Sequence, residues 1–194
     1  MAFNVSQFTN QLVNDGARPN LFQVSLPGLP TPLGTNQLQN VTNPGNRMSF
    51  MAKAAQIPGS SIGQVPLYYF GREVKFAGNR TFADWTLTVI NDEDFTVRTS
   101  LETWMNWINS NAGNVRGTGN APSLVTQSNQ SYALDAVVSQ YGKNGNVIQA
   151  YNFIGLFPVD ISPIDLDWGS NDTIEEFTVT FAYQYWTNAN STDA

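Results

Sequence analysis

Alternation of apolar and polar residues with a period of two is the feature that most constrains how this chain folds. It is clearest over residues 176–185, where the aromatic and aliphatic positions face one way: Phe177, Val179, Phe181, Tyr183 and Tyr185. The intervening polar positions face the other way: Glu176, Thr178, Thr180 and Gln184. Because successive side chains of a strand point to opposite faces, this pattern predicts one long strand whose aromatic face fills a sandwich or barrel core.

Similar strand signals recur along the chain. The predicted strands span residues 20–26, 48–56, 64–70, 72–77, 83–91, 131–141 and 147–154. Gly71 separates two arms of an extended ribbon, 64–70 and 72–77, as a turn or bulge position. Asn144 and Gly145 are the preferred pair for a type I′ turn, and they predict a hairpin between the last two of these strands.

One strong helix is predicted, over residues 94–111. Val97, Leu101, Trp104 and Ile108 form a single apolar stripe along it. Asp92, Glu93 and Asp94 precede the stripe and are expected to cap the free N–H groups of the helix start, and Gly113 is expected to end the helix. A short helix is also predicted from Ser6 to about Gly16.

These elements show no strand–helix–strand rhythm and no internal repeat. The predicted fold class is mainly β: an antiparallel β-barrel or sandwich with one packed amphipathic α-helix. The 194 residues are expected to form a single domain, 1–194. Within it, residues 27–46 and 114–130 are rich in Gly, Pro, Asn, Ser or Thr and are interpreted as loop insertions, and residues 187–194 as a flexible tail.

The charge balance argues against specific nucleic-acid binding. The net charge is −6, and the nine Lys and Arg residues are scattered singly rather than clustered. The chain has no Cys and no His, which removes thiolate nucleophiles, disulfides and imidazole bases. The sequence has no signal-peptide pattern at its start and no apolar stretch long enough to span a membrane, so stable membrane insertion is not expected.

Three groups of residues are candidates for other chemistry. Asp92 to Asp94 form a possible acid pair, but helix capping accounts for them. The acids Asp160, Asp165, Asp167 and Asp172 fit no calcium-loop spacing. Of five tryptophans, Trp104 is expected in the core, while a sugar-binding platform stays open for Trp85, Trp107, Trp168 and Trp186. The prediction is therefore a protein without catalytic residues, metal or cofactor.

Three blocks of sequence resemble the tail tube proteins of contractile-tailed bacteriophages, the myovirus tube subunits. The blocks are residues 17–24; residues 54–58 through 65–66 to 77–93; and residues 155–158, 166–172 and 174–186. This resemblance implies a homohexameric ring whose strands close an inner β-barrel. It also implies that rings stack into a tube inside a contractile sheath, and that the genome leaves through the lumen.

The resemblance also implies partners and a location. The partners are other copies of the chain, the tail sheath protein, and the baseplate and tail-terminator proteins, while DNA passes through without specific binding. The implied location is the virion tail, assembled in the host cytoplasm. Three alternatives stay open: a baseplate protein that initiates the tube, the inner tube of a bacteriocin-like injection system, and a β-sandwich carbohydrate-binding module.

Two sets of candidate functional residues follow. Residues 57–80 are expected to reach a neighbouring subunit or ring, with inter-subunit candidates Tyr69, Gly71, Arg72 and Arg80. Polar residues on the ribbon and on the last strand are the lumen-facing candidates: Glu73, Lys75, Glu176, Thr178, Thr180 and Gln184. The net negative charge led to the hypothesis of an acidic lumen that repels phosphates.

Overall fold

The computed structural model describes residues 5–12, 16–27, 44–114 and 132–188. The helices in these ranges are α1 (Val5–Gln11), α2 (Pro44–Met51) and α3 (Thr96–Ile108). The strands are β1 (Phe22–Ser25), β2 (Ala52–Ala55), β3 (Ser61–Tyr69), β4 (Arg72–Thr81), β5 (Trp85–Ile90), β6 (Leu134–Tyr141), β7 (Val147–Ile161), β8 (Glu176–Ala182) and β9 (Tyr185–Asn188). The pairings between these strands are all antiparallel, which confirms the mainly β prediction.

The strand β7 organises the body of the protein. Six strands lie in the order β1-β6-β7-β8-β5-β2, and a seventh, β9, pairs with β7. The strands β3 and β4 form a separate two-stranded sheet. The first part of β7 pairs with β6 and β9, while its last residues pair with β8. Two sheets therefore share one strand, and their inner faces enclose a common core.

Gly155 marks the point where β7 passes from one sheet to the other. Its φ angle is +66°, a backbone conformation that favours glycine. Its N–H donates to the Oδ1 atom of Asp135 at 3.1 Å, next to a bulge in the β6–β7 register. A Cβ atom at this position would lie 2.9 Å from the Cγ atom of Gln184. The corner thus requires a residue without a side chain.

The core consists of the alternating residues of the sheets and the stripe of α3. Val97, Leu101 and Trp104 are buried, as predicted, and pack with the buried face of β8. Trp85 lies 4.5 Å from Phe153 between ring centroids. The indole nitrogens of both buried tryptophans have acceptors, the carbonyls of Gln56 for Trp85 and of Tyr132 for Trp104. Trp85 and Trp104 are therefore core residues, not a sugar platform.

The strand predicted at 48–56 is wrong in its first half. Residues 44–51 form α2, which packs against β1 and α3, and only residues 52–55 form a strand. Met48 is fully buried. Pro44 stands in the first turn, where a proline costs no intrahelical hydrogen bond. The sequence around Pro44 is typical of a loop. Its packing against β1 and α3, which the local sequence does not show, explains why this segment forms a helix.

Both predicted ends of the main helix are also wrong. The N-cap residue of α3 is Phe95, which has φ +51° and makes no side-chain capping bond. Asp92 and Asp94 instead bind Arg47 of α2, with N–O distances of 2.7 and 3.1 Å. The helix ends at Ile108, because Asn109 turns to extended backbone well before Gly113. Arg47 is far from these acids in the sequence, so local patterns do not predict that it binds the residues expected to cap the helix.

Two turns differ from the prediction. In the β6–β7 hairpin Gly145 has φ +78° but Asn144 does not have positive φ, so the turn is not type I′. The N–H of Gly145 donates to the carbonyl of Gly142, as in a type I turn followed by a left-handed glycine. The predicted long strand over 176–185 also breaks at residues 183–184, where pairing passes from β8 to β9. Phe177, Val179 and Phe181 are buried as predicted.

Parts of five predicted segments lie outside the described residues. These parts are 13–15 of the short N-terminal helix, 28–43 of the 27–46 insertion, 115–130 of the 114–130 insertion, 131 of the strand 131–141, and 189–194 of the tail. Residues 44–46 belong to α2, and Thr187 and Asn188 belong to β9, so the tail cannot begin at residue 187. Among the described residues, no helix is long and apolar enough to cross a membrane.

Replacing Arg47 by methionine is expected to lower the free energy of unfolding by about 1–3 kcal/mol, because Asp92 loses its cation. The Asp92 side chain is only 16% exposed, and its Oδ1 atom already has no donor. Hydrogen bonding to Asp94 raises the pKa of Arg47, burial opposes the rise, and Asp92 adds to it, so the guanidinium stays charged. Urea denaturation measures the loss. Lys53→Met is the control, since its pair with Glu176 is more exposed and is expected to change stability by less than about 1 kcal/mol.

Candidate functional site

The β3–β4 hairpin stands away from the body of the protein. Every residue of β3 is exposed, and so is every residue of β4 except the half-buried Gly78. Within the described part of the chain, the two strands pair only with each other. An isolated two-stranded hairpin is marginally stable in water. Such an arm is expected to pack against another molecule.

One face of the hairpin is apolar and the other is mostly polar. The register pairs Val65 with Phe76 and Leu67 with Val74, so these four side chains share a face. They are 43–56% exposed. The opposite face carries Gln64, Pro66, Tyr68, Glu73, Lys75 and Ala77. We call the set Val65, Leu67, Val74 and Phe76 the apolar hairpin face. Within the described residues nothing covers it.

The tip of the hairpin is a two-residue turn with an unusual occupant. Phe70 and Gly71 have φ angles of +44° and +80°, the signs that a type I′ turn requires at both positions. A bulky residue in this region is strained. The Phe70 side chain is nevertheless 92% exposed, and its ring lies edge-on to Tyr69 at 4.5 Å. An exposed phenylalanine in this conformation is a candidate for a contact outside the subunit.

The predicted inter-subunit residues fall into two places. Tyr69, Gly71 and Arg72 lie together at the tip. Arg80 pairs with Ile62 at the base of the hairpin, roughly 26 Å from Arg72 at the usual rise of a strand. In the parts of the chain that the structure describes, neither Arg72 nor Arg80 forms an ion pair.

The predicted lumen-facing residues are only partly brought together. Thr178 and Thr180 of β8 pair with Thr88 and Thr86 of β5, forming a ladder of half-buried hydroxyls on the face opposite the core. Glu176 continues this face and forms an ion pair with Lys53. We call this face the threonine wall. Lys53 compensates Glu176, whereas Asp160, which pairs in register with Thr180 and shares this face, forms no ion pair among the described residues.

The other three candidates for the lumen lie elsewhere. Gln184 stands in the break between β8 and β9, where its side chain lies against Gly155. Glu73 and Lys75 lie on the polar face of the hairpin, on a different sheet from the threonine wall. Gln184 continues the alternation of the threonines in the sequence, but β8 ends at Ala182, so Gln184 does not share their face.

A second exposed apolar surface, which the sequence patterns do not predict, lies on the loop between β7 and β8. Leu166, Trp168 and Ile174 are 80%, 101% and 72% exposed. The N–H of Gly169 donates to Oδ1 of Asp167 at 3.0 Å, and this turn presents Trp168 to solvent. The signal in the sequence was a tryptophan between aspartate and glycine, residues that favour a turn.

The described residues contain no cluster of three or more Asp, Glu, His or Cys that could hold a metal ion. Asp160 lies in β7, while Asp165, Asp167 and Asp172 lie on the loop that follows it. The geometry of the exposed surfaces, two apolar and one of hydroxyls, suits contact with other macromolecules.

Comparison with known proteins agrees with this geometry. Residues 17–189 match the model of the phage tail tube protein family. The chain is 34% identical over 173 residues to tail tube protein gp19 of Enterobacteria phage T4, covering 89% of this chain and 91% of that protein. It is 26% identical over 133 residues to the tail tube protein of Serratia phage KSP90, covering 69% of this chain and 70% of that protein.

Solved structures share the fold at low sequence identity. A chain of the sheath-tube complex of an extracellular contractile injection system matches with a TM-score of 0.57 at 17% identity, over 96% of this chain and 98% of that chain. The tube-terminating cap of the anti-feeding prophage matches with a TM-score of 0.60 at 15% identity, over 98% of this chain and 100% of that chain. With the family model spanning most of the sequence, the chain belongs to the phage tail tube protein family.

Proposed function

We propose that this chain is the structural subunit of a phage tail tube. Six copies form a ring, rings stack into a hollow tube within a contractile sheath, and DNA leaves through the lumen. The proposal is supported by the family match over residues 17–189 and by the tail tube proteins to which the chain is similar. In this role the protein is a component of the virion tail with no catalytic task, and its partners are itself, the sheath, the baseplate and the terminator.

The uncovered apolar hairpin face is the observation that carries the proposal. Val65, Leu67, Val74 and Phe76 are each about half exposed. Burying what remains of each is worth roughly 1 kcal/mol, so a hairpin contributes about 4 kcal/mol to a contact with its neighbour. A ring repeats this contribution at each joint. The exposed hairpin face therefore favours a function in which many copies of the protein assemble.

Purified protein examined by negative-stain electron microscopy tests this function. We expect stacked rings with a central channel, because the exposed faces then cover one another. Long tubes that form without other proteins also distinguish a tube subunit from a baseplate initiator, which starts the tube. A stable monomer at high concentration, with a tryptophan fluorescence that responds to sugars, would contradict the proposal and favour a carbohydrate-binding module.

We further propose that the threonine wall lines the lumen. Its hydroxyls and its compensated Lys53–Glu176 pair offer no unpaired cation to a phosphate, so DNA slides along it. Asp160 adds an exposed carboxylate to this face beside Thr180, so the described wall carries a net negative charge, as the hypothesis of an acidic lumen expects. The proposal concerns Glu176, Thr178 and Thr180, and leaves Gln184 outside the wall.

Phage that carry Thr178→Lys and Thr180→Lys together are expected to eject DNA more slowly, because each ring then presents twelve new cations if it has six subunits. Added salt is expected to restore much of the rate, since it screens contacts to phosphate. DNA release followed with a fluorescent dye at low and high salt measures both effects. Asn106→Lys on the exposed surface of α3 is the control and should leave the rate unchanged. Equal ejection rates for all variants would show that the threonine wall does not line the lumen.

A further inference from the structure

A compact apolar and acidic projection lies on the loop after β7. Trp168 is 101% exposed and Leu166 is 80% exposed. Asp165 and Asp167 flank them, and Asp167 also fixes the turn through the N–H groups of Gly169 and Ser170. We call residues 165–168 the acidic knob. A fixed tryptophan with carboxylates beside it suits a socket with apolar walls and cations at its rim.

The local sequence cannot supply those cations. None of the nine Lys and Arg residues lies beyond Lys143. The loop that carries the knob adds Asp172 and Glu175 to the same surface, so its own surroundings are acidic. The complementary charge has to come from an earlier part of the chain or from another molecule.

A groove with the required character lies at the β6–β7 turn. It has a volume of about 720 Å³, within the range of pockets that accept a large side chain. Two of its lining residues are basic, Arg18 and Lys143, and its apolar lining comprises Leu21, Tyr141, Val147 and Ile148. No acidic residue is among the described residues that line it. We call this the basic groove.

The knob and the groove lie at opposite ends of β7. The groove includes Val147, the first residue of β7, and the knob begins four residues after its last residue, Ile161. The 15 residues of β7 have a contour length of roughly 46 Å, and antiparallel β8 and β9 run beside much of it. β7 continues as one strand through Gly155, and no knob residue is among those that line the groove, so the two features of one subunit lie apart.

We infer that the acidic knob of one copy inserts into the basic groove of the next copy, with Trp168 against the apolar walls and Asp165 beside Arg18. Such a head-to-tail contact uses two different surfaces, so it repeats without limit unless it closes into a ring. The inference rests on the proposed self-assembly and assigns it a second contact, separate from the apolar hairpin face. The β3–β4 hairpin also carries Arg72 and Arg80, but it is a protruding arm and offers no concave socket.

Disulfide cross-linking tests the contact in a chain that has no cysteine of its own. The double variant Ser170→Cys with Asn146→Cys places one thiol beside the knob and one in the groove, and it keeps Trp168. Mild oxidation of assembled tubes is expected to give a ladder of covalent oligomers on a non-reducing gel. The control, Ser170→Cys with Gln64→Cys on the hairpin, is expected to give none.

Charge reversal provides an independent measurement. Arg18→Glu is expected to raise the critical concentration for assembly by about tenfold, and adding Asp165→Lys to recover most of that loss. If assembly is instead recovered when Asp165→Lys is combined with Arg72→Glu, the knob contacts the hairpin of the next copy, and the inference is overturned. Tubes that form but show neither the ladder nor the recovery overturn it while leaving the proposed function intact. A protein that forms no oligomer at all overturns both.

Discussion

A Leu67→Glu subunit is expected to stay folded and to form no tubes. Leu67 is 56% exposed at the centre of the apolar hairpin face, and among the described residues β3 and β4 pair with no strand of the body. A carboxylate there costs little in the single subunit. In an assembled tube it would be buried without a partner, at a cost of several kcal/mol for each copy. Circular dichroism should show an unchanged unfolding temperature, and sedimentation should show only small species.

The neighbouring residue provides a matched control for this experiment. Tyr68 is 74% exposed and points to the opposite, polar face beside Glu73. Tyr68→Glu introduces the same charge one position away, and we expect tubes to form. If both variants assemble, the apolar hairpin face is not an interface. If neither assembles, the whole hairpin is in contact, and the distinction between its two faces has no functional meaning.

A Gly155→Ala substitution is expected to lower the free energy of unfolding by about 2–4 kcal/mol. The left-handed backbone at φ +66° costs an alanine roughly 1–2 kcal/mol. The new methyl group would also lie 2.9 Å from Cγ of Gln184, so the strand junction has to shift. Urea denaturation in the Leu67→Glu background measures the loss without interference from assembly.

Gly145→Ala separates the two contributions. Gly145 has φ +78°, but a Cβ atom there would meet nothing within 4 Å. We expect this variant to lose only the backbone term, about 1–2 kcal/mol. Adding Gln184→Ala to Gly155→Ala should recover the contact term. Equal losses for both glycine variants would show that the corner at Gly155 tolerates a side chain.

Local alternation predicted most of the strands and the buried stripe of the helix. It could not predict Arg47, because the pairing of this residue with Asp92 and Asp94 joins positions 45 and 47 residues apart. The break between β8 and β9 was missed for a similar reason: Tyr183 and Tyr185 continue the alternation, while the change of partner along β7 depends on Gly155 and Gln184.

The sequence predicts the position of the hairpin, but not which of its surfaces are exposed. The ribbon and the turn at Gly71 follow from the sequence. Alternation of Val65 and Leu67 with Gln64 and Pro66 shows two faces, yet it does not show whether the subunit covers the apolar one. Trp168 illustrates the same limit, because a tryptophan in a turn can be fully buried or fully exposed. Exposure depends on the whole tertiary structure, so local sequence does not distinguish a core residue from a contact residue.

The shared strand has a mechanical consequence. In a sandwich held together only by side-chain packing, a lateral load can slide one sheet over the other by repacking the core. Here the covalent backbone of β7 runs through both sheets, flanked by β6 and β9 on one stretch and β8 on the other. Sliding would have to stretch covalent bonds or break two hydrogen-bonded ladders together. The shared strand therefore resists sliding of one sheet over the other, and a lateral load on one sheet passes to the other through the backbone of β7.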